Sequence, residues 1–189
     1  MKHGKDKAKE VIKNCKPYPV AGKYDVCELY GQVYNLYKNG YSAGKLTGWP
    51  SVDRLYTVRQ REFTVLTGIP QHGKSVWLDN LVVNIARSYN WNFAIYSPEH
   101  YPFERHIAQL CEIYIGKAFD RLYKGHMDEF ELEKAVKWAN DHFHFIMPCD
   151  DEERSLDKIL ELARASVFKD GTNGIIIDPW NEIEHDVGS

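Results

Sequence analysis

One run constrains this chain more than any other: Gly68-Ile69-Pro70-Gln71-His72-Gly73-Lys74-Ser75. It matches G-x-x-x-x-G-K-[ST] in full. It lies between a short apolar run, Phe63–Thr67, and a stretch with Leu78, Leu81, Val82 and Ile85 at helical spacing. Strand, loop and helix form the context in which that pattern cradles phosphate. Glycines let main-chain N–H groups wrap the anion, and the helix N-terminus adds the positive end of its dipole. In such a loop, Gly68 through Val76 contact the nucleotide, Lys74 reaches the β- and γ-phosphates, and the Ser75 hydroxyl ligates Mg²⁺. Pro70, Gln71 and His72 are bulkier than many loops of this type carry, which leaves affinity less constrained than the motif. A chance match on an ordinary strand–turn–helix is the alternative.

The rest of the chain alternates in the same way. Phe93–Tyr96, Phe143–Met147 and Gly174–Ile177 are short apolar runs, read as strands together with Phe63–Thr67. Between them lie helical patterns: one opened by Pro102, one through about Asp128–Asn140, and one N-capped by Ser155 and stopped by Gly171. Strands alternating with helices in short apolar runs predict an α/β fold with a parallel sheet covered on both faces. Upstream, Val26, Leu29, Tyr30, Val33 and Tyr37 predict a helix bounded by linkers. The domain reading is therefore a tail and linker over 1–22, a linker-helix region over 23–46 and a nucleotide-binding domain over 47–189.

Charge and cysteine usage narrow the function classes. Lys+Arg number 24 against 27 Asp+Glu, a formal net charge of -3, so no global attraction to nucleic acid or anionic membrane is expected. The lysines of 1–16 read as a solvated tail, with a phosphate-binding arm as the alternative. No apolar run is long enough to span a membrane, and no apolar segment follows the basic start as in a secretory signal. Cys15, Cys27, Cys111 and Cys149 are scattered, as in a reduced cytoplasmic protein.

A phosphate loop needs a second Mg²⁺ partner at the end of another buried strand. Asp178, closing Gly174–Ile177, is that candidate; its other reading is a turn-forming Asp before Pro179. Hydrolysis also needs a group to orient water. Glu99 follows Phe93–Tyr96 in Ser97-Pro98-Glu99, and the carboxyl ends of parallel strands line the ligand crevice. The alternative for Glu99 is a helix-leading acid near a positive dipole end.

With these residues in place, the chain resembles the RecA-like ATPase domain of the DnaB/Twinkle replicative helicases, most of all the helicase half of bacteriophage-type Toprim primase-helicases. The likeness runs through Lys16-Pro-Tyr-Pro, Thr47-Gly-Trp-Pro-Ser-Val-Asp53-Arg-Leu-Tyr56, the P-loop, Phe93-Ala-Ile-Tyr-Ser-Pro-Glu99 and Ile176-Ile-Asp178-Pro-Trp-Asn-Glu-Ile-Glu-His185. It implies an ATP-driven motor that unwinds duplex DNA as a ring, usually hexameric, around a single strand. It implies that Lys74 and Ser75 hold nucleotide and metal, that Asp178 is the Walker B carboxylate (its Mg²⁺ contact through water), that Glu99 is the catalytic glutamate and that Asn181 is a polar sensor. The 26–37 helix resembles the element that docks on an adjacent subunit, and 1–16 the segment that follows a primase-type domain.

In this family the γ-phosphate sensor strand, the DNA-binding loops and the trans-acting arginine finger follow the Walker B region. Ser189 comes soon after Asp178, so a C-terminally incomplete ATPase domain is expected. By resemblance, the sensor strand lies between Phe63–Thr67 and Gly174–Ile177, and its absence leaves a sheet without its centre. Weak turnover follows for the chain alone, since an arginine finger is worth about 10³–10⁵ in rate. Two further readings stay open. One is an ATP-binding ring component that hydrolyses nothing. The other is a P-loop kinase, for which Arg105 and Arg121, both lone, offer no arginine-rich lid.

Overall fold

The computed structural model describes residues 24–41, 43–149, 154–180 and 183. The chain forms two compact units, Met1–Ser42 and Ala43–Ser189. In the first, a 3₁₀ turn over Val26–Leu29 runs into α1, Tyr30–Asn39, which Gly40 ends at φ 71. The predicted apolar stripe is present, but Val26, Tyr30, Val33 and Tyr37 are all exposed.

The second unit opens with Lys45 and Val58 exchanging main-chain hydrogen bonds of 2.7 and 2.8 Å, which closes the intervening segment. Inside it, the four-residue α2, Pro50–Asp53, returns the Asp53 carboxylate to Thr47, accepting from its N–H at 2.6 Å and its hydroxyl at 2.7 Å. The elements that follow are α3 (Lys74–Tyr89), β1 (Phe93–Tyr96), α4 (Glu104–Ile115), α5 (Glu129–His142), β2 (Phe143–Phe145), α6 (Leu156–Asp170) and β3 (Gly174–Ile177). The three strands are parallel in the order β2-β1-β3, with Phe93 opposite Phe143 and Gly174, and Tyr96 opposite Ile177.

Alternation along β1 divides the core in two, because successive strand residues face opposite sides. Phe93 and Ile95 join Leu81, Val82 and Ile85 of α3, Leu110 and Cys111 of α4, and Ala135 and Ala139 of α5. Ala94 and Tyr96 face the other way, onto Ile159 and Ala163 of α6. Helices therefore cover both faces of an α/β sheet, as the alternating pattern predicts. Gly174 is required by this packing: a Cβ there would lie 2.8 Å from the Phe93 ring. Burial pushes the Cys111 thiol up to about 11.

Local signals set several boundaries. Ser155 accepts a hydrogen bond from the Lys158 N–H to start α6, and Gly171 at φ 70 stops it. Asp128 and Glu131 form a reciprocal capping box at the start of α5.

Three expectations need correction. Phe63–Thr67 is not a strand; it is irregular and exposed, with Phe63 at 84% and Val65 at 70%. Its apolar side chains suit a pleated surface, but a strand also needs a hydrogen-bonding neighbour, and among the described residues none flanks it. The strand expected over Phe143–Met147 ends at Phe145. The helix expected to open at Pro102 starts at Glu104, after a bend at Pro102 and with Phe103 in the N-cap position.

Candidate functional site

The Gly68–Ser75 loop leads directly into α3. Gly73 occupies its N-cap at φ 77, a left-handed conformation that costs a side-chain-bearing residue about 1–2 kcal/mol. The first hydrogen bond of the helix runs from the Trp77 N–H to the Gly73 carbonyl at 2.9 Å. The earlier N–H groups of the first turn point out of the helix end, as helix geometry requires. Lys74 bends back over its own loop and donates from Nζ to the Ile69 carbonyl at 3.1 Å. A Cβ at Gly68 would meet Lys74 Cδ at 3.5 Å, an ordinary contact, so the path of the lysine does not itself demand a glycine there. Lys74 and Ser75 are half-buried, whereas Ile69, Pro70, Gln71, His72, Gly73 and Val76 are exposed.

The base of α3 is braced by the preceding segment. Trp77 stacks on Trp49 with ring centroids 5.4 Å apart, and Asn84 donates to the Thr47 carbonyl at 3.0 Å. The Thr47–Tyr56 stretch, which carried part of the family resemblance, thus meets the helix that the loop begins.

The two candidate carboxylates leave neighbouring strands at the same end of the sheet. Asp178 follows β3, is half-buried, and donates its main-chain N–H to the Tyr96 carbonyl at 3.0 Å. Glu99 is exposed, in the 3₁₀ turn Pro98–His100 that follows β1. Because Tyr96 and Ile177 are paired in register, the two exits are one interstrand spacing apart, about 4.8 Å. Asn181, Lys16-Pro-Tyr-Pro and the lysine-rich 1–16 lie outside the described residues.

A buried polar cluster adjoins this end of the sheet, and the motif reading missed it. Asp79, on α3, is buried with both oxygens engaged: Oδ1 accepts from His106 Nε2 at 3.0 Å and Oδ2 from Gln109 Nε2 at 2.9 Å. The His106 ring lies over His100, with centroids 4.4 Å apart, and meets Phe145 edge-on. His100 Nδ1 is 2.7 Å from the hydroxyl of the fully buried Ser97. The sequence held one signal for it: an Asp between Leu78 and Leu81, on the apolar side of a helix, needs a partner.

Arg105 is exposed, and Arg121 pairs with Glu129 at 3.0 Å on the surface. No helix among the described residues is long and apolar enough to cross a membrane.

No protein-family model matches the chain. Over 191 aligned residues it is 36% identical to the Twinkle homolog protein, chloroplastic/mitochondrial, of Arabidopsis thaliana. The alignment covers 98% of this chain and 27% of that protein, so the chain spans about a quarter of the relative it matches.

Proposed function

From the Twinkle/DnaB-like helicase family that this homology supports, we propose that the chain is the ATP-binding segment of a replicative DNA helicase, in which ATP hydrolysis drives unwinding within a ring. The observation that carries the proposal is the junction of loop and helix: a left-handed Gly73, a lysine folded over the loop and a first helical turn with outward N–H groups. These residues fit a nucleotide polyphosphate and its Mg²⁺. Main-chain N–H groups between Gly68 and Val76, all but that of Pro70, which has none, wrap the phosphates, and Lys74 exchanges the Ile69 carbonyl for phosphate oxygens. The Ser75 hydroxyl and, through water, Asp178 would hold Mg²⁺, which supplies neutralisation of phosphate charge when bound. Glu99 orients the attacking water and accepts its proton.

The finer reading is the helicase half of a phage-type Toprim primase-helicase, working in the cytoplasm as a homo-oligomeric, hexameric ring on single-stranded DNA. Under this reading the sensor strand, the DNA loops and the arginine finger lie in sequence following the Walker B region. The cytoplasmic placement rests on the scattered cysteines alone; the Arabidopsis relative is chloroplastic or mitochondrial by name.

One observation favours a second reading. Phe63–Thr67 stands outside the sheet, and a loop with so little behind it suits an ATP-binding ring component that does not hydrolyse. Titration with a fluorescent ATP analogue tests the shared core of both. Binding should require Mg²⁺ and fall below detection in Lys74→Ala. Equal binding by that variant, or none by the parent chain, overturns the proposal. Unwinding by an intact helicase, measured with and without this chain, separates them: suppression identifies the ring component.

A further inference from the structure

The Asp79–His106–His100–Ser97 cluster joins the helix that begins at Lys74 to the turn that carries Glu99, and its geometry fits a relay better than ordinary core filling. Asp79 lies one helical turn beyond Ser75, about 6 Å along the axis. Its carboxylate is buried, so it needs donors on both oxygens, and it takes them from His106 and Gln109, both on α4. His106 Nδ1 has no partner among the described residues, so the bond to Asp79 is the polar contact that orients the buried ring. A face of that ring then supports His100.

His100 is tied to Ser97 twice, by its ring nitrogen at 2.7 Å and by its main-chain N–H to the Ser97 carbonyl at 3.2 Å. Tyr101 adds a bond from its N–H to the Pro98 carbonyl at 3.2 Å. Glu99 is thus held between two anchored residues. The His100 ring, held by Ser97 and His106, adds a side-chain tie to the main-chain bonds of this turn.

We propose that Asp79 and His106 are positioning residues that set the Glu99 turn according to the state of the phosphate-loop helix, so that occupancy at Gly68–Ser75 is felt at Glu99. The role assigned to Glu99 rests on the ATP-binding reading; the mechanical link between α3 and the turn does not.

Residue-resolved amide exchange on the whole chain, with and without Mg²⁺–ADP, tests this in three variants. His106→Ala cuts the relay at its centre. His100→Ala cuts it at a half-buried position. Ile107→Ala truncates a half-buried core residue one position along and leaves the relay intact. Normalised to the β1 amides of Ala94 and Ile95 in the same protein, exchange at Tyr101 should be about ten-fold faster in both relay variants than in Ile107→Ala. Mg²⁺–ADP should slow Tyr101 exchange in the parent chain and in Ile107→Ala. It should leave that amide unchanged in the relay variants, although Gly73–Val76 still respond.

Equal Tyr101 exchange in all three variants overturns the relay. So does nucleotide-dependent slowing that survives in His106→Ala and His100→Ala. If Gly73–Val76 of the parent chain do not respond to Mg²⁺–ADP, the ATP-binding reading falls, and the nucleotide-free comparison still decides the link.

Discussion

Phe93–Tyr96 and Phe63–Thr67 are short apolar runs of similar composition, each leading into a polar turn. The first is a strand buried along its whole length, flanked by β2 and β3. The second is exposed and irregular. Side-chain preference is the same in both, so the difference lies in the backbone. Each N–H and C=O of a strand must find a partner, and β1 has one on either edge. Phe63–Thr67 has none among the described residues, and the outer edge of β3 pairs with no other strand among them either. A strand is a property of a sheet, whereas the Gly68–Ser75 loop is built from its own residues and the helix after it.

The sharpest test of that contrast is amide exchange within one sample. Ala94 and Ile95 should open only with global unfolding, at roughly 5–15 kcal/mol, while Thr64–Leu66 should open near zero. Comparable protection in the two runs would erase the distinction. Thiol chemistry carries the same contrast: Cys27 is exposed, whereas Cys111 is buried with its thiol pushed up to about 11. An alkylating reagent at pH 8 should modify Cys27 quickly and Cys111 only on unfolding, because the reactive thiolate is scarce below that value.

Truncation comes next in size. Ile95→Ala should cost about 2–5 kcal/mol in denaturant unfolding, as expected for a large-to-small change in a packed core. Gly73→Ala should cost about 1–2 kcal/mol through its left-handed backbone, and should weaken binding of the ATP analogue more than it weakens the fold. Val65→Ala should change stability by no more than about 0.5 kcal/mol. A cost near that of Ile95→Ala would show that the exposed run packs in solution after all.

Legibility in the sequence follows the range of the interaction. The bounds of β1 and β3 and both ends of α6 came from local features: apolar runs ended by polar residues, a Ser N-cap and a C-terminal Gly. Missing from that reading were features that depend on distant partners. Phe63–Thr67 looked like a strand because its residues suit one, and no local pattern reveals a missing neighbour. Helix α4 begins after Pro102 rather than at it. Within the candidate site, the loop and its lysine were legible as a motif. The juxtaposition of the Glu99 and Asp178 exits depends on β3 pairing with β1, which spacing alone does not dictate. The Asp79–His106 contact joins α3 to α4 and was visible only as an acid in an apolar stripe.

The central claim is that the Gly73–Val76 turn, Glu99 and Asp178 surround one nucleotide-bound metal. Paramagnetic broadening of amide resonances by Mn²⁺ in place of Mg²⁺, with ADP present, measures this directly. The account predicts selective broadening at Gly73–Val76, at Glu99 and His100 and at Asp178, with α5 amides such as Lys134 and Trp138 unaffected, and loss of the whole pattern in Lys74→Ala. Broadening confined to acidic surface residues elsewhere, or a pattern that survives in Lys74→Ala, would contradict it.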